Sequence, residues 1–220
     1  MMGLQAINRQ RGLTLLEILI ALSIFSLIGV ASYQVLNTTI HSQQVGDAHS
    51  TALSQQQKAL RILDQDLQQL ITRNVRMPDQ QDNNYLLVNQ NVFPLEFSRG
   101  GRRNPLLLPR SSIQRIAYDL GPHPESDDRE SKHYRDERSY LRRHVWPGLD
   151  REPDTAPLIQ VLLNDVTELT VAVISEQGRH EIWPLVDDDT EKKVVQPLAI
   201  ELIWVHDGAG QTVRIYPVLQ

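Results

Sequence analysis

Arg11-Gly12-Leu13-Thr14-Leu15-Leu16-Glu17 opens the one long apolar run of this chain. After Glu17 no charged residue follows until Asp47, and the 19 residues from Ile18 to Leu36 are mostly Leu, Ile, Ala, Val and Phe. A span of about 20 such residues, rising about 1.5 Å each, crosses a hydrocarbon layer of ~30 Å. The stretch therefore predicts a membrane helix with a carboxylate at its start. An acid at that place costs roughly 2.5–3.5 kcal/mol on insertion scales. A simple anchor has no use for it, so Glu17 calls for a cationic partner. Arg9 and Arg11 are the nearest in sequence. The other source is the α-amine of a neighbouring chain that has been cut just before Leu13.

Three plainer readings compete. Residues 1–31 form a secretory signal if Gly29-Val30-Ala31 is a small-residue cleavage site, giving a mature chain that starts at Ser32. A glutamate and a 19-residue apolar run both fit poorly with an h-region of about 7–15 residues. A plain signal anchor leaves Glu17 unexplained. A buried soluble helix conflicts with the length of the run and its lack of charge.

Basic leader, Gly, bulky apolar residue, Thr, two apolar residues, Glu: this strict spacing resembles the processing motif of type IV pilins and type II secretion pseudopilins. The resemblance implies that a prepilin peptidase cuts between Gly12 and Leu13 and methylates the amine of Leu13. It also makes Glu17 the residue that pairs with that amine during assembly. Most family members have Phe where this chain has Leu13, a mild departure because the position needs a bulky apolar group. The order of charges, basic before the span and acidic overall after it, predicts a cytoplasmic N-terminus and an external C-terminal domain.

The 220 residues suffice for one membrane helix and one soluble domain. A net charge of −5 makes the chain a poor nucleic-acid binder. It contains no cysteine, which excludes disulfides, thiol catalysis and Cys-ligated metals.

No proline interrupts the chain before Pro78, so a single helix is expected from Leu13 to about Arg73. Beyond the apolar run, Leu53, Leu60, Leu63, Leu67 and Leu70 share one helical face, as in a helix laid on a domain core. Downstream, Leu95–Ser98, Ile113–Leu120, Leu169–Ser175, Leu198–Val205 and Val213–Leu219 read as strands, and Tyr140–Asp150 as a returning strand and a turn. Leu158–Leu163 is apolar but of ambiguous type. With Glu181–Leu185, the sum is about seven or eight strands joined by turns, hence antiparallel sheets. The fold class is α+β, pilin-like: a long N-terminal helix, transmembrane in its first half, packed on antiparallel sheets. The expected parts are a leader (1–12), a transmembrane and assembly half-helix (13–36), an amphipathic half-helix (37–73) and a β-rich domain (74–220).

Two further segments carry a narrower resemblance. One is Lys58-Ala59-Leu60-Arg61-Ile62-Leu63-Asp64-Gln65-Asp66-Leu67. The other runs from Phe97-Ser98-Arg99-Gly100-Gly101 through Pro109-Arg110-Ser111-Ser112-Ile113-Gln114-Arg115-Ile116-Ala117-Tyr118. Both are similar to the J-type minor pseudopilins of type II secretion. That family implies a structural subunit at the tip of a pseudopilus in the bacterial inner membrane, its domain in the periplasm. It implies I-type, K-type and H-type minor pseudopilins as partners, together with the major pseudopilin and the prepilin peptidase/methyltransferase. No cofactor is implied. The charged segment Gly121–Arg138 departs from the family, which has a shorter connection there, and its composition predicts a flexible loop.

No catalytic set emerges. Ser111 and Ser112 lie in no nucleophile elbow. The histidines at 41, 49, 123, 133, 144, 180 and 206 form no helical pair at metal-ligand spacing. Gly100-Gly101-Arg102-Arg103 lacks the setting of a phosphate loop, and Asp187-Asp188-Asp189-Thr190-Glu191 lacks the alternation of a calcium loop. No metal site is expected. The alternatives to a minor pseudopilin are a minor pilin of a type IV pilus or competence system, or a membrane-anchored periplasmic enzyme or binding domain. Mass analysis of the mature N-terminus separates them: methylated Leu13 is the expected start, and a start at Ser32 would make this a secreted domain.

Overall fold

The computed structural model describes residues 14–73, 84–101, 111–146, 148–149, 155–185 and 195–218. Helix α1 is Leu15–Gln68, 54 residues long. The chain divides within it: residues up to Leu53 form one unit and Ser54 onward the other.

In the first unit every described side chain is exposed, large apolar ones such as Leu15, Phe25 and Leu27 included. The helix there is long and apolar enough to cross a membrane. Several of its hydroxyls bond back to their own helix. Ser23 donates to Leu19 O at 2.8 Å, Thr38 to Gln34 O at 2.9 Å, and Thr39 to Val35 O at 2.8 Å. In hydrocarbon such bonds replace the water these groups would otherwise need.

The second unit begins with the last turns of α1, which supply Ala59, Leu63 and Leu67 to the core. Leu53 is exposed and Leu60 half-buried, so the leucine stripe deepens toward the C-terminal end. The helix stops at Gln68, five residues before the expected Arg73. Gln69 and Leu70 donate to carbonyls three residues back, and the chain then pairs with strand β2. Ile71 N–H donates to Ser98 O (3.0 Å), Gly100 N–H to Gln69 O (2.9 Å), and Leu70 bridges Arg99. Asp66 O and Leu67 O are thus satisfied by the turn that ends the helix, and Gln69 O by Gly100 just after β2. Gly101 makes the turn away at φ +74°, where an added Cβ would strike the Gln69 side chain.

Nine strands are described. Sheet A has the order β1-β2-β3-β4-β5: Leu86–Val88, Leu95–Arg99, Gln114–Gly121, Tyr140–Trp146 and Leu158–Asn164. Sheet B has the order β7-β6-β8-β9: Gly178–His180, Val166–Ser175, Pro197–His206 and Gly210–Pro217. Every pairing is antiparallel. One residue, Asp165, carries the chain from β5 to β6 at φ 55°. A second tie joins the sheets where Val88 and Trp183 exchange backbone hydrogen bonds of 2.9 and 3.0 Å.

The core lies among α1 and both sheets. It includes Leu95, Phe97, Ile116, Tyr118 and Leu141 from sheet A and Val171, Val173, Ile200, Leu202 and Trp204 from sheet B. Leu158–Leu163, ambiguous in sequence, is strand β5 because it pairs with β4. Short β1 lies in a segment with no predicted strand. Of Glu181–Leu185 only Trp183 pairs, while the hairpin partner of β6 is Gly178–His180. Gly121–Arg138, expected to be a loop, leaves β3 and forms successive turns closed by backbone bonds such as Ser126 N to His123 O and Arg135 N to Ser126 O, both 2.9 Å. Local turn chemistry compensates there for the lack of apolar residues. Leu63 joins helix to sheets and is fully buried. Leu63→Ala is expected to cost about 2–5 kcal/mol in urea unfolding of the full chain in detergent; a loss below about 1 kcal/mol would mean the helix end is not part of the core.

Candidate assembly site: an acid at one end of the helix and a buried carboxylate at the other

At the first turn, Glu17 N–H donates to Thr14 Oγ1 at 3.2 Å and to Thr14 O at 3.1 Å. Thr14 is therefore the N-cap and Glu17 the third helical residue, the spacing of a capping box. The Glu17 side chain is exposed. A carboxylate in a helix's first turn is favoured by the helix dipole. That lowers the cost of keeping the acid there and leaves its charge available to a neighbour. Gly12 and Leu13 lie outside the described residues.

At the other end, Asp66 sits in the last turn of α1, with 1% of its surface exposed. The dipole disfavours an acid at this end, and the last turn carries no basic residue of its own. The sheets supply the cations. Asp66 Oδ2 accepts from Tyr118 Oη at 2.6 Å and from Arg143 Nε at 2.5 Å. Asp66 Oδ1 accepts from Arg143 Nη2 at 3.0 Å and forms an ion pair with Arg99 Nη1 at 3.1 Å. Oδ2 thus uses both lone pairs, and Oδ1 is held by one hydrogen bond and one ion pair. Gln69 Oε1 holds the rest of the Arg99 guanidinium, at 3.0 and 2.7 Å. Burial, followed by the charge of Asp66, pushes the Tyr118 hydroxyl well above its ordinary pKa. The excess positive charge faces the helix C-terminus, where the dipole stabilises it.

Asp64, two residues earlier, accepts from Tyr216 Oη of β9 at 2.7 Å. One helical turn therefore grips sheet A through Asp66 and sheet B through Asp64. On sheet A, Arg115 also pairs with buried Glu96 (2.9 Å) and donates to Ser98 Oγ (3.1 Å). Asp119 accepts from Arg142 (2.6 and 2.9 Å) and from His144 Nε2 when that nitrogen is protonated (2.9 Å). Burial raises the Asp119 pKa, but the bonds from His144 and Arg142 outweigh it and leave the carboxyl below its usual range.

Of the other sequence candidates, Ser111 only accepts a turn bond from Ile113 N–H at 3.1 Å. The positions 102–103 and 187–191 lie outside the described residues. Two arrangements escaped the sequence reading. Ser175 Oγ lies 2.8 Å from His180 Nε2 across the β6–β7 hairpin, but it also accepts from Gln177 N–H at 3.0 Å, which makes it a turn residue. His123 and His133 stack with ring centroids 3.6 Å apart in the β3–β4 connection. Their spacing in sequence gave no sign of this, because the turns between them fold the segment back on itself.

Residues 34–218 match the family described as type II secretion system (T2SS), protein J, and residues 7–33 match the prokaryotic N-terminal methylation motif. The chain belongs to the type II secretion system protein J family. A protein J from Escherichia coli is 31% identical over 158 residues, 69% of this chain and 71% of that one. Another from Klebsiella pneumoniae is 29% identical over 217 residues, 96% of each. Among solved structures, a chain of the GspK–GspI–GspJ complex from the enterotoxigenic E. coli type 2 secretion system is 25% identical, with a TM-score of 0.57. That match covers 77% of this chain and 99% of the other. As a family member the chain is a minor pseudopilin of type II secretion, a structural subunit, and its fold is pilin-like as expected.

Within this fold, removing one partner of a buried pair costs about 3–5 kcal/mol. Asp66→Asn points amide hydrogens at two guanidiniums and is expected to cost that much in denaturant unfolding. Tyr118→Phe, which removes one neutral donor, is expected to cost about 1 kcal/mol. Equal, small effects would show that Asp66 does not hold the helix to the sheet.

Proposed function

We propose that this minor pseudopilin is anchored in the bacterial inner membrane by Leu13–Leu36, with a cytoplasmic N-terminus and a periplasmic domain. In this reading a prepilin peptidase/methyltransferase removes residues 1–12 after Gly12 and methylates Leu13. Residues 37–73 carry the chain from the membrane to the periplasmic domain that follows. Glu17 then pairs with the α-ammonium of the adjacent subunit as the helices gather into a filament. The subunit takes part in assembly at the pseudopilus tip, supporting export of folded proteins, and performs no catalysis.

One observation carries the reading: an apolar helical surface, exposed on all sides, starts at a capped turn whose glutamate points outward. A helix apolar all round needs lipid or other helices as its surroundings. A lone acid at its mouth is a liability until a cation arrives. At about 4 Å and an effective dielectric near 20 such a pair is worth about 4 kcal/mol before desolvation. Leaving the acid stranded costs about 3–5 kcal/mol.

The partners follow from the relative solved with GspK and GspI. By that analogy this chain joins I-type and K-type minor pseudopilins, with H-type and major pseudopilins further along the filament. Glu17→Leu is expected to leave membrane insertion intact, because it only makes the span more apolar. It is expected to reduce secretion at native expression level, as pairing is lost. Full secretion by this variant would remove Glu17 from assembly.

A further inference from the structure

The β3–β4 connection holds a side-chain cluster that takes no part in docking the helix. His123, Glu125 and His133 each offer a ligand atom, and these atoms all lie within 4.8 Å of one another. The two imidazoles stack at 17° between planes, and the ring of Tyr140 stands edge-on to both. We propose that His123, Glu125 and His133 form a binding site for a divalent transition-metal ion of the zinc class.

The surroundings fit a ligand set. His133 Nδ1 lies 3.3 Å from Asp136 Oδ2, which leaves Nε2 to face an ion. A carboxylate behind a ligating histidine fixes its tautomer and raises its basicity. Asp136 is itself fixed: Arg138 donates to it at 3.0, 3.2 and 2.7 Å, and Tyr140 Oη at 2.6 Å. Ser131 Oγ donates to Glu125 Oε2 at 2.7 Å and orients that carboxylate. Two imidazoles and one carboxylate favour zinc-like ions over calcium, which prefers an all-oxygen shell. Metal bonds of about 2.0–2.2 Å in a tetrahedron place donor atoms about 3.3 Å apart. The ligands must therefore close by up to about 1.5 Å, an adjustment open to side chains on surface turns. His123 Nδ1 now accepts from Glu125 N–H at 3.2 Å, so coordination through Nε2 requires giving up that bond. Lys132 lies beside the cluster, and Arg138 is neutralised by Asp136. Positive charge nearby weakens the site, which sets the expected affinity in the micromolar range.

The consequence is structural. His123 follows β3 directly and His133 lies toward β4, so an ion ties the two limbs of the connection together. The same two histidines line a cleft of about 360 Å³ with Lys58, Ala59 and Ile62 of α1 and Gln160 of β5. A bound ion would hold the connection over this cleft, and three protein ligands leave coordination positions for water or a further donor.

The test uses the full chain in detergent, stripped of metal and titrated with Co²⁺ and then Zn²⁺. One equivalent of Co²⁺ is expected to give visible absorption bands of low-coordinate N/O ligation that Zn²⁺ bleaches, with a Zn²⁺ Kd of about 1–10 µM. Zn²⁺ is expected to raise Tm, because the ion binds the folded state. His123→Ala, His133→Ala and the shape-conserving Glu125→Gln are each expected to weaken binding by about tenfold or more. Glu125→Gln, on an exposed residue, keeps the test valid should a histidine variant misfold. Binding weaker than about 100 µM, or equal affinity in wild type and all three variants, would overturn the proposal.

Discussion

The second unit depends on one carboxylate being shared correctly. Asp66 belongs to the helix, Arg99, Tyr118 and Arg143 belong to three adjacent strands, and three hydrogen bonds and the Arg99 ion pair converge on two oxygens. Apolar packing of Leu63 and Leu67 provides most of the driving force for burying the helix face, since it scales with area. Packing alone tolerates small slips along the helix axis. The buried charges do not, because a shift of one residue would leave two guanidiniums and a carboxylate without water or partner. The ion pairs therefore act mainly to select one docking geometry, and Asp64–Tyr216 repeats the arrangement on the second sheet.

This division of labour suits a subunit whose two ends meet different surroundings. The N-terminal stretch of the helix has no protein cover, and the hydroxyls of Ser23, Thr38 and Thr39 bond to its own backbone. The C-terminal stretch is covered by sheets and held by charge. A helix docked on a folded domain keeps its register there only if the junction does not slide. That requirement gives a physical reason for charge at the foot of the helix.

Much of the fold was legible. The 3.6-residue leucine stripe identified the covered face, and composition and turn signals identified β2, β3, β4, β6, β8 and β9 within a few residues. The misses have specific causes. The helix end was placed at Arg73 because nothing local forbids helix there; it stops at Gln68 because the segment after Leu70 gains bonds with β2. β1 is three residues long, too short to show a period. The segment 121–138 has the composition of a loop without structure, yet Ser, Asp and His side chains close its turns one after another. Arg99 and Tyr118 were present in the segments that carry the family likeness, and Arg143 lies in β4, but nothing in the sequence says that the two arginines turn toward the helix.

By itself the sequence determined the membrane-length helix, the motif around Gly12, Leu13 and Glu17, the antiparallel character of the domain and the family. These rest on local order along the chain, where period, length and charge spacing are physical quantities in their own right. Only the tertiary structure decided where the helix ends, which charges meet Asp66, and that His123 and His133 face each other. Those outcomes depend on contacts between residues tens of positions apart. The energy of such a contact is set by burial and by the geometry of its partners, neither of which exists until the strands have paired.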